Sequence, residues 1–265
     1  MAKYERIAAE LRQQITDGKL APGARLNAET ELADQYDVSV PTIRQALNML
    51  RAEGLIDTQH GKGRFVRAPR QRVRRTPERY QWEKARVQLP DDERAGTGAT
   101  ERDTGLSYQD LKFHAEYHTV PADDQLARDF GTEPGTSMLE RVYRTTSRDE
   151  SAPISLVRSY LVHDVAAKNP ALLDPGNEPW PGGTQHQLST IGIELDHITD
   201  EITARPPVAD EAEQLGIDAQ GVAVFVLKKI SVDTNGNVAE LSYVILPGDR
   251  TEFAYTTTLD RWEHA

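Results

Sequence analysis

The chain is expected to fold as a two-part α+β protein, with three short helices closed by a β-hairpin and then a body of helices mixed with a largely antiparallel sheet. Three observations point that way. Apolar residues recur at helical spacing near the start; a Gly-x-Gly turn separates two short β-rich runs within 58–66; and beyond residue 105 β-rich runs return at hairpin-length gaps.

Composition sets the frame. With 38% hydrophobic and 28% charged residues in 265, an ordinary core can be buried. The longest uncharged apolar stretch, 221–227, is too short to cross a bilayer. The charged amphipathic start lacks the apolar run of a secretory signal. Cysteine is absent, which excludes disulfides, thiolate catalysis and cysteine-ligated metal. The expectation is a cytoplasmic protein with no membrane partner and no cofactor. The net charge of −11 is unevenly spread: residues 1–86 carry 17 Lys and Arg against 11 Asp and Glu, net +6, leaving −17 for 87–265. Such a split suggests one part that meets a polyanion and one that does not.

Tyr4, Ile7, Ala8, Leu11 and Ile15 form one face of a first helix that stops at Asp17-Gly18. A second helix is expected over about 28–36, burying Leu32 and Ala33. After Asp37-Val38-Ser39, a third helix starts with Ser39 as N-cap and Pro41 in its first turn, where no amide donor is needed. Ile43, Leu47 and Leu50 face inward. Two short helices joined by a tight turn make a helix-turn-helix, whose second helix enters the major groove by its N-terminus. The hairpin Thr58–Val66, tipped by His60, Lys62 and Arg64, completes a winged helix-turn-helix.

These residues resemble the GntR family of bacterial transcription regulators. The match runs over about 3–67 through Leu26-Asn27-Ala28-Glu29, Val38-Ser39-Val40-Pro41-Thr42-Ile43-Arg44, Glu53-Gly54-Leu55 and His60-Gly61-Lys62-Gly63-Arg64-Phe65-Val66. It implies a double-stranded DNA operator as partner, contacted by Thr30, Ser39, Val40, Pro41, Thr42, Arg44, His60, Gly61, Lys62, Gly63 and Arg64. Family members usually carry arginine where Thr30 and Val40 stand, so the operator is expected to differ from the commonest family sequence. Val40 and Pro41 either touch a thymine methyl or only start the helix. Arg67, Arg70, Arg72, Arg74, Arg75 and Arg79 follow with no apolar period, and 69–104 is expected as a linker. Its arginines either track phosphates or pair with the acidic second domain.

From 105 to 265 strands are expected near 110–120, 138–146, 154–162, 194–203, 222–232, 238–246 and 253–258, with helices near 123–130, 163–168, 184–191 and 210–215. Asn235-Gly236 marks one hairpin. This order resembles the UTRA effector domain of the HutC subfamily, which has a chorismate-lyase-like fold, through Gly135–Arg141, Ala152-Pro153-Ile154, Pro181–Thr184, Thr199–Pro206 and Glu240–Tyr243. The resemblance implies a bound small molecule and a homodimer. Pocket candidates are Arg141, Tyr143, Ser159, Thr184, Arg205 and Glu240: a few polar groups converging on an apolar cavity. Tyr143 replaces the second arginine of the phosphate-gripping pair in sugar-phosphate sensors, which disfavours a phosphosugar. Tyr143 is equally placed for plain core, Arg205 for a salt bridge, and Glu240 for a cross-strand pair.

Other chemistry is weakly signalled. His114, Glu116 and His118 share one strand face at a spacing a metal can use, but such a face is also ordinary solvent surface. No nucleophile elbow, P-loop or Rossmann signature occurs. The expectation is a ligand-released repressor on a palindromic operator, not an enzyme. The alternatives are an effector-independent DNA-binding protein, a repressor of mobile-element transfer genes and, least favoured, a chorismate-lyase-like enzyme.

Overall fold

The structure, a computed structural model, describes residues 2–59, 61–68, 70–150, 152–217, 221–259 and 261. It divides into two compact units: Met1–Arg70 with Ala204–Val224 and Pro247–Asp249, and Gln71–Thr203 with Phe225–Leu246 and Arg250–Ala265.

In the first unit, α1 (Lys3–Thr16), α2 (Glu29–Tyr36) and α3 (Val40–Ala52) precede a hairpin of β1 (Ile56–Gln59) and β2 (Gly63–Val66). The expected inward stripes meet as one core: Ile7, Ala8 and Leu11 of α1, Leu32 and Ala33 of α2, and Ile43, Leu47 and Leu50 of α3, closed by Ile56 and Val66. The chain ahead of α2 joins the hairpin, with Leu26 N donating to Arg64 O and Val66 N to Ala24 O, both at 2.8 Å. Asp37, at φ +49°, makes the turn between α2 and α3. Ser39 occupies the N-cap position of α3, but its hydroxyl meets Thr42 Oγ1 at 2.9 Å instead of a backbone amide.

The second unit opens with β3 (Val73–Arg75), α4 (Glu78–Arg86), α5 (Asp91–Ala95) and α6 (Ala99–Thr104). The aperiodic linker expected over 69–104 is therefore largely regular structure. Its helices bury arginine where a periodicity reading looks for leucine: Arg79, Arg86 and Arg94 are 8%, 8% and 7% exposed. Next come β4 (Leu111–Pro121), α7 (Asp124–Phe130), β5 (Ser137–Ser147), β6 (Ser155–Val162), α8 (His163–Ala166), α9 (Gly183–Ser189) and β7 (Leu195–Arg205). The chain ends with α10 (Ala209–Leu215), β8 (Val224–Asp233), β9 (Val238–Pro247) and β10 (Thr251–Phe253).

Six strands form one sheet in the order β4-β5-β6-β9-β8-β7, antiparallel where β4, β5, β6 and β9 pair. Apolar clusters on this sheet gather Met138 and Leu241 with α7, and Leu139 and Leu161 with Leu188 and Leu195. The strand expected near 253–258 lies earlier, at Thr251–Phe253, and pairs in parallel with β3. That partner is 178 residues away along the chain (Thr251 to Val73), so no local pattern announces it. No helix among the described residues is long and apolar enough to cross a membrane.

Candidate functional site

On the helical head, α3 begins at the protein surface. Ser39, Pro41 and Arg44 are exposed, Thr42 is half-buried, and Thr30 is exposed on α2. Val40 is half-buried against the head core. In the hairpin turn Lys62 is exposed, and Gly61 and Gly63 take φ of +72° and +117°, conformations open mainly to glycine. His60 lies outside the described residues. Glu29 joins the pieces: its Oε2 accepts Arg44 Nε at 2.6 Å and its Oε1 lies 2.9 Å from Arg64 Nη2. Burial lowers the Arg64 pKa, and Glu29 opposes that shift. A helix N-terminus with exposed polar groups beside a glycine-tipped hairpin is able to enter a groove while its cations meet phosphate.

The arginines that follow are mostly engaged elsewhere. Within the first unit, Arg67 donates to Asp249 at 2.8 Å and Arg70 to the carbonyls of Leu215 and Gly216. Within the second, Arg75 and Arg79 share Asp103, and Arg74 meets the exposed Glu252. Arg72 is exposed. Much of the +6 charge of residues 1–86 is thus taken up by intramolecular pairs.

The sheet carries the second site. Antiparallel register sets Arg141 (β5) opposite Ser159 (β6), and Ser159 opposite Ser242 (β9). Arg141, 1% exposed, donates through Nη2 to Ser159 Oγ at 2.7 Å and to Glu240 Oε1 at 2.9 Å, and through Nη1 to Gln187 Oε1 at 2.7 Å. Glu240 Oε1 also accepts Ser159 at 2.7 Å and Thr184 at 3.4 Å, and its Oε2 takes Lys229 Nζ at 2.8 Å. Burial pushes the Glu240 carboxyl up, but Lys229 and Arg141 outweigh it and hold the pKa at about 2. Tyr143 packs its ring 5.7 Å from the Arg141 guanidinium and donates its hydroxyl to Glu178 at 3.0 Å. Burial raises the Tyr143 pKa, so its phenol remains a proton donor.

Tyr143, Ser159, Thr184 and Glu240 line one cavity of about 820 Å³, and Arg141 lies beneath them. Arg205 does not join them: both its terminal nitrogens hold Glu211, at 2.6 and 2.7 Å. Sequence reasoning missed Glu178, Gln187 and Lys229. Glu178 sits in a loop without pattern, and Gln187 is a buried polar residue within α9, where hydrophobic spacing does not single it out; Lys229 was findable, because it alternates with Ser231 on a strand next to Glu240. The whole α4–α6 wall, with Tyr80 and Trp82, was also missed. His114, Glu116 and His118 do share a face, but it is exposed, with Glu116 occupied by His114 at 2.7 Å and near Arg144 at 3.7 Å.

A reading head with an open helix start, in a chain that also holds a sizeable cavity beside an α+β sheet, is the plan of a DNA-binding transcription regulator with a ligand-sensing domain. Residues 3–66 match the family of bacterial regulatory proteins called gntR, and residues 114–252 match the UTRA domain. The chain belongs to the GntR family, in the head-plus-UTRA arrangement of its HutC subfamily. It is 27% identical to an HTH-type transcriptional regulator of Streptomyces coelicolor over 96% of this chain and 91% of that one. It is 25% identical to the HTH-type transcriptional repressor NagR of Bacillus subtilis, over 95% and 93%. The fold is shared with the crystal structure of PhnF from Mycobacterium smegmatis, at a TM-score of 0.52 and 24% identity over 96% and 99% of the two chains.

Proposed function

We propose that the chain is a repressor that binds a two-fold operator as a homodimer and leaves it when a small molecule fills the sheet cavity. The division of labour follows the sequence reading. Residues 1–68 contact DNA; residues 105–265 dimerise and bind the effector; and 69–104 connect them while walling the cavity. Base contact falls to Arg44, Thr42, Pro41 and Thr30, with Ser39 fixing the turn. Val40, seated against the core, starts the helix. Gly61, Lys62, Gly63, Arg64 and His60 form the wing contact. Tyr143, Ser159, Thr184 and Glu240 present the effector's polar surroundings, and Arg141 braces Glu240 from below. The protein acts in the cytoplasm and turns nothing over.

One observation carries this reading: a cavity of about 820 Å³, the size of small-molecule sites, lies beside a buried charge network in a chain that also carries a DNA-reading head. The repressor named among its relatives supports the direction of control. The test is to select duplexes from a random pool with the full-length protein, then titrate metabolites into the complex. A palindromic site bound by two chains, released by a compound that also raises the melting temperature, is the expected result. A site bound by one chain, or affinity indifferent to every stabilising compound, overturns it. Linkage requires that a releasing ligand bind the DNA complex more weakly.

A further inference from the structure

The cavity's charges are balanced on the sheet but not on the wall built by 73–104, a segment outside both matched regions. On the sheet side two acids, Glu240 and Glu178, face two cations, Arg141 and Lys229. On the wall, Arg79 draws on Asp103 and reaches Glu83 at 3.7 Å, whereas Arg75 approaches the shared Asp103 only through Nε, at 3.4 Å. Nη1 and Nη2 of Arg75 meet no protein acceptor among the described residues, although its side chain is only 13% exposed. The next acid, Asp200, is occupied by the Tyr80 hydroxyl at 2.8 Å. Burial first, and Arg79 second, lower the Arg75 pKa, as expected for a cation short of negative charge.

Arg86 repeats the theme. It is 8% exposed, held by the carbonyls of Thr97, Glu93 and Arg94 and by the Trp82 ring at 4.4 Å, with no carboxylate in ion-pair range among the described residues. Carbonyls satisfy a guanidinium's donors without cancelling its charge, and a low-dielectric cavity focuses that field. Facing these cations are apolar side chains: Leu111, Phe113, Ile154, Val157, Val244 and Leu246.

We propose that the cavity takes an organic anion, an apolar body bearing one oxyanion group, anchored by the paired Nη donors of Arg75 and not by Arg141. A guanidinium edge offers two parallel N–H groups that match two oxygens of a carboxylate or sulfonate. Arg141 is closed to this role, because Gln187, Ser159 and Glu240 already occupy its terminal nitrogens. The proposal rests on reading the cavity as the effector site and adds the ligand's class.

The probes are 8-anilinonaphthalene-1-sulfonate and its neutral analogue N-phenyl-1-naphthylamine, titrated by fluorescence into the full chain. Arg75→Gln is expected to weaken the sulfonate at least tenfold and leave the amine within twofold. Unchanged sulfonate affinity in Arg75→Gln, or equal affinity for both probes in the wild type, overturns the anion anchor. If Arg75→Gln also loses the amine, the cavity itself has changed, and Arg75→Lys decides: it keeps the charge but not the paired donors. Weakened sulfonate with retained amine in Arg75→Lys supports the proposal, and unchanged sulfonate overturns it. Octanoate and benzoate are expected to displace the sulfonate. Displacement that leaves the operator complex intact keeps the anion site and overturns the effector reading instead.

Discussion

Glu29, the first residue of α2, holds Arg44 of the reading helix at 2.6 Å. The same carboxylate is 2.9 Å from Arg64 on the hairpin, so one acid orients a cation from each DNA-facing element. Arg44 is 61% exposed at its side chain, which keeps it available to a partner. Replacing Glu29 by Gln removes one negative charge from that face and releases both arginines. The expected result, by fluorescence anisotropy on preferred and scrambled duplexes, is tighter binding to the scrambled duplex and a smaller ratio between the two. An unchanged ratio shows that Glu29 does not position Arg44.

Arg44→Ala is expected to cost about 1–3 kcal/mol in discrimination at one base pair, if its guanidinium is the direct reader. Lys62→Ala at the wing is expected to weaken all duplexes alike and lower the slope of log affinity against log salt by about 0.9. Arg79→Ala is expected to leave that slope unchanged and to lower the melting temperature, since Arg79 is buried against Asp103 and Glu83. A shared response of Lys62 and Arg79 refutes this division.

Glu240 makes stability depend on acid. Its folded pKa of about 2 lies below the ordinary 4.5, so its contribution is present above pH 4.5 and is lost as pH falls toward 2. The difference is on the order of 3 kcal/mol by linkage. In urea titrations from pH 5 to pH 3, the wild type is expected to lose stability more steeply than Glu240→Gln. Parallel curves sink the assignment. At pH 7, Glu240→Ala strands Arg141 and Lys229 and is expected to cost about 3–5 kcal/mol.

Leu47, 1% exposed between α1 and the hairpin, tests the head alone. Leu47→Ala is expected to cost about 2–5 kcal/mol there and abolish DNA binding. Binding of the organic sulfonate by the same variant is expected to persist, because none of its cavity residues lies in the head. Loss of both signals means that the head does not unfold independently.

The head was legible because its apolar spacing, turn glycines and helix starts all point the same way; each helix ends within a residue or two of its expected limits. The sheet strands were legible for the same reason. The wall at 73–104 was not. Its inward positions are Arg79, Arg86 and Arg94, whose partners are a carboxylate 24 residues on and a set of backbone carbonyls. Hydrophobic periodicity has no term for a helix that buries guanidinium. Tyr143, Ser159, Thr184 and Glu240, singled out through the resemblance to the UTRA domain, line the cavity. Arg205 was not separable from them, because its bond to Glu211, six residues on, depends on how the chain turns at Pro206-Pro207.

Beyond residue 66, Arg67, Arg74, Arg75 and Arg79 meet acids, which has an outcome for how operator search begins. Counted without them, residues 1–66 hold nine Lys and Arg and nine Asp and Glu. The head then approaches a polyanion as an electroneutral object carrying a local dipole, with little long-range attraction to speed encounter or to hold it during sliding. Residence on DNA then rests on short-range fit and, in the proposed dimer, on two heads acting together, which makes occupancy sensitive to protein concentration.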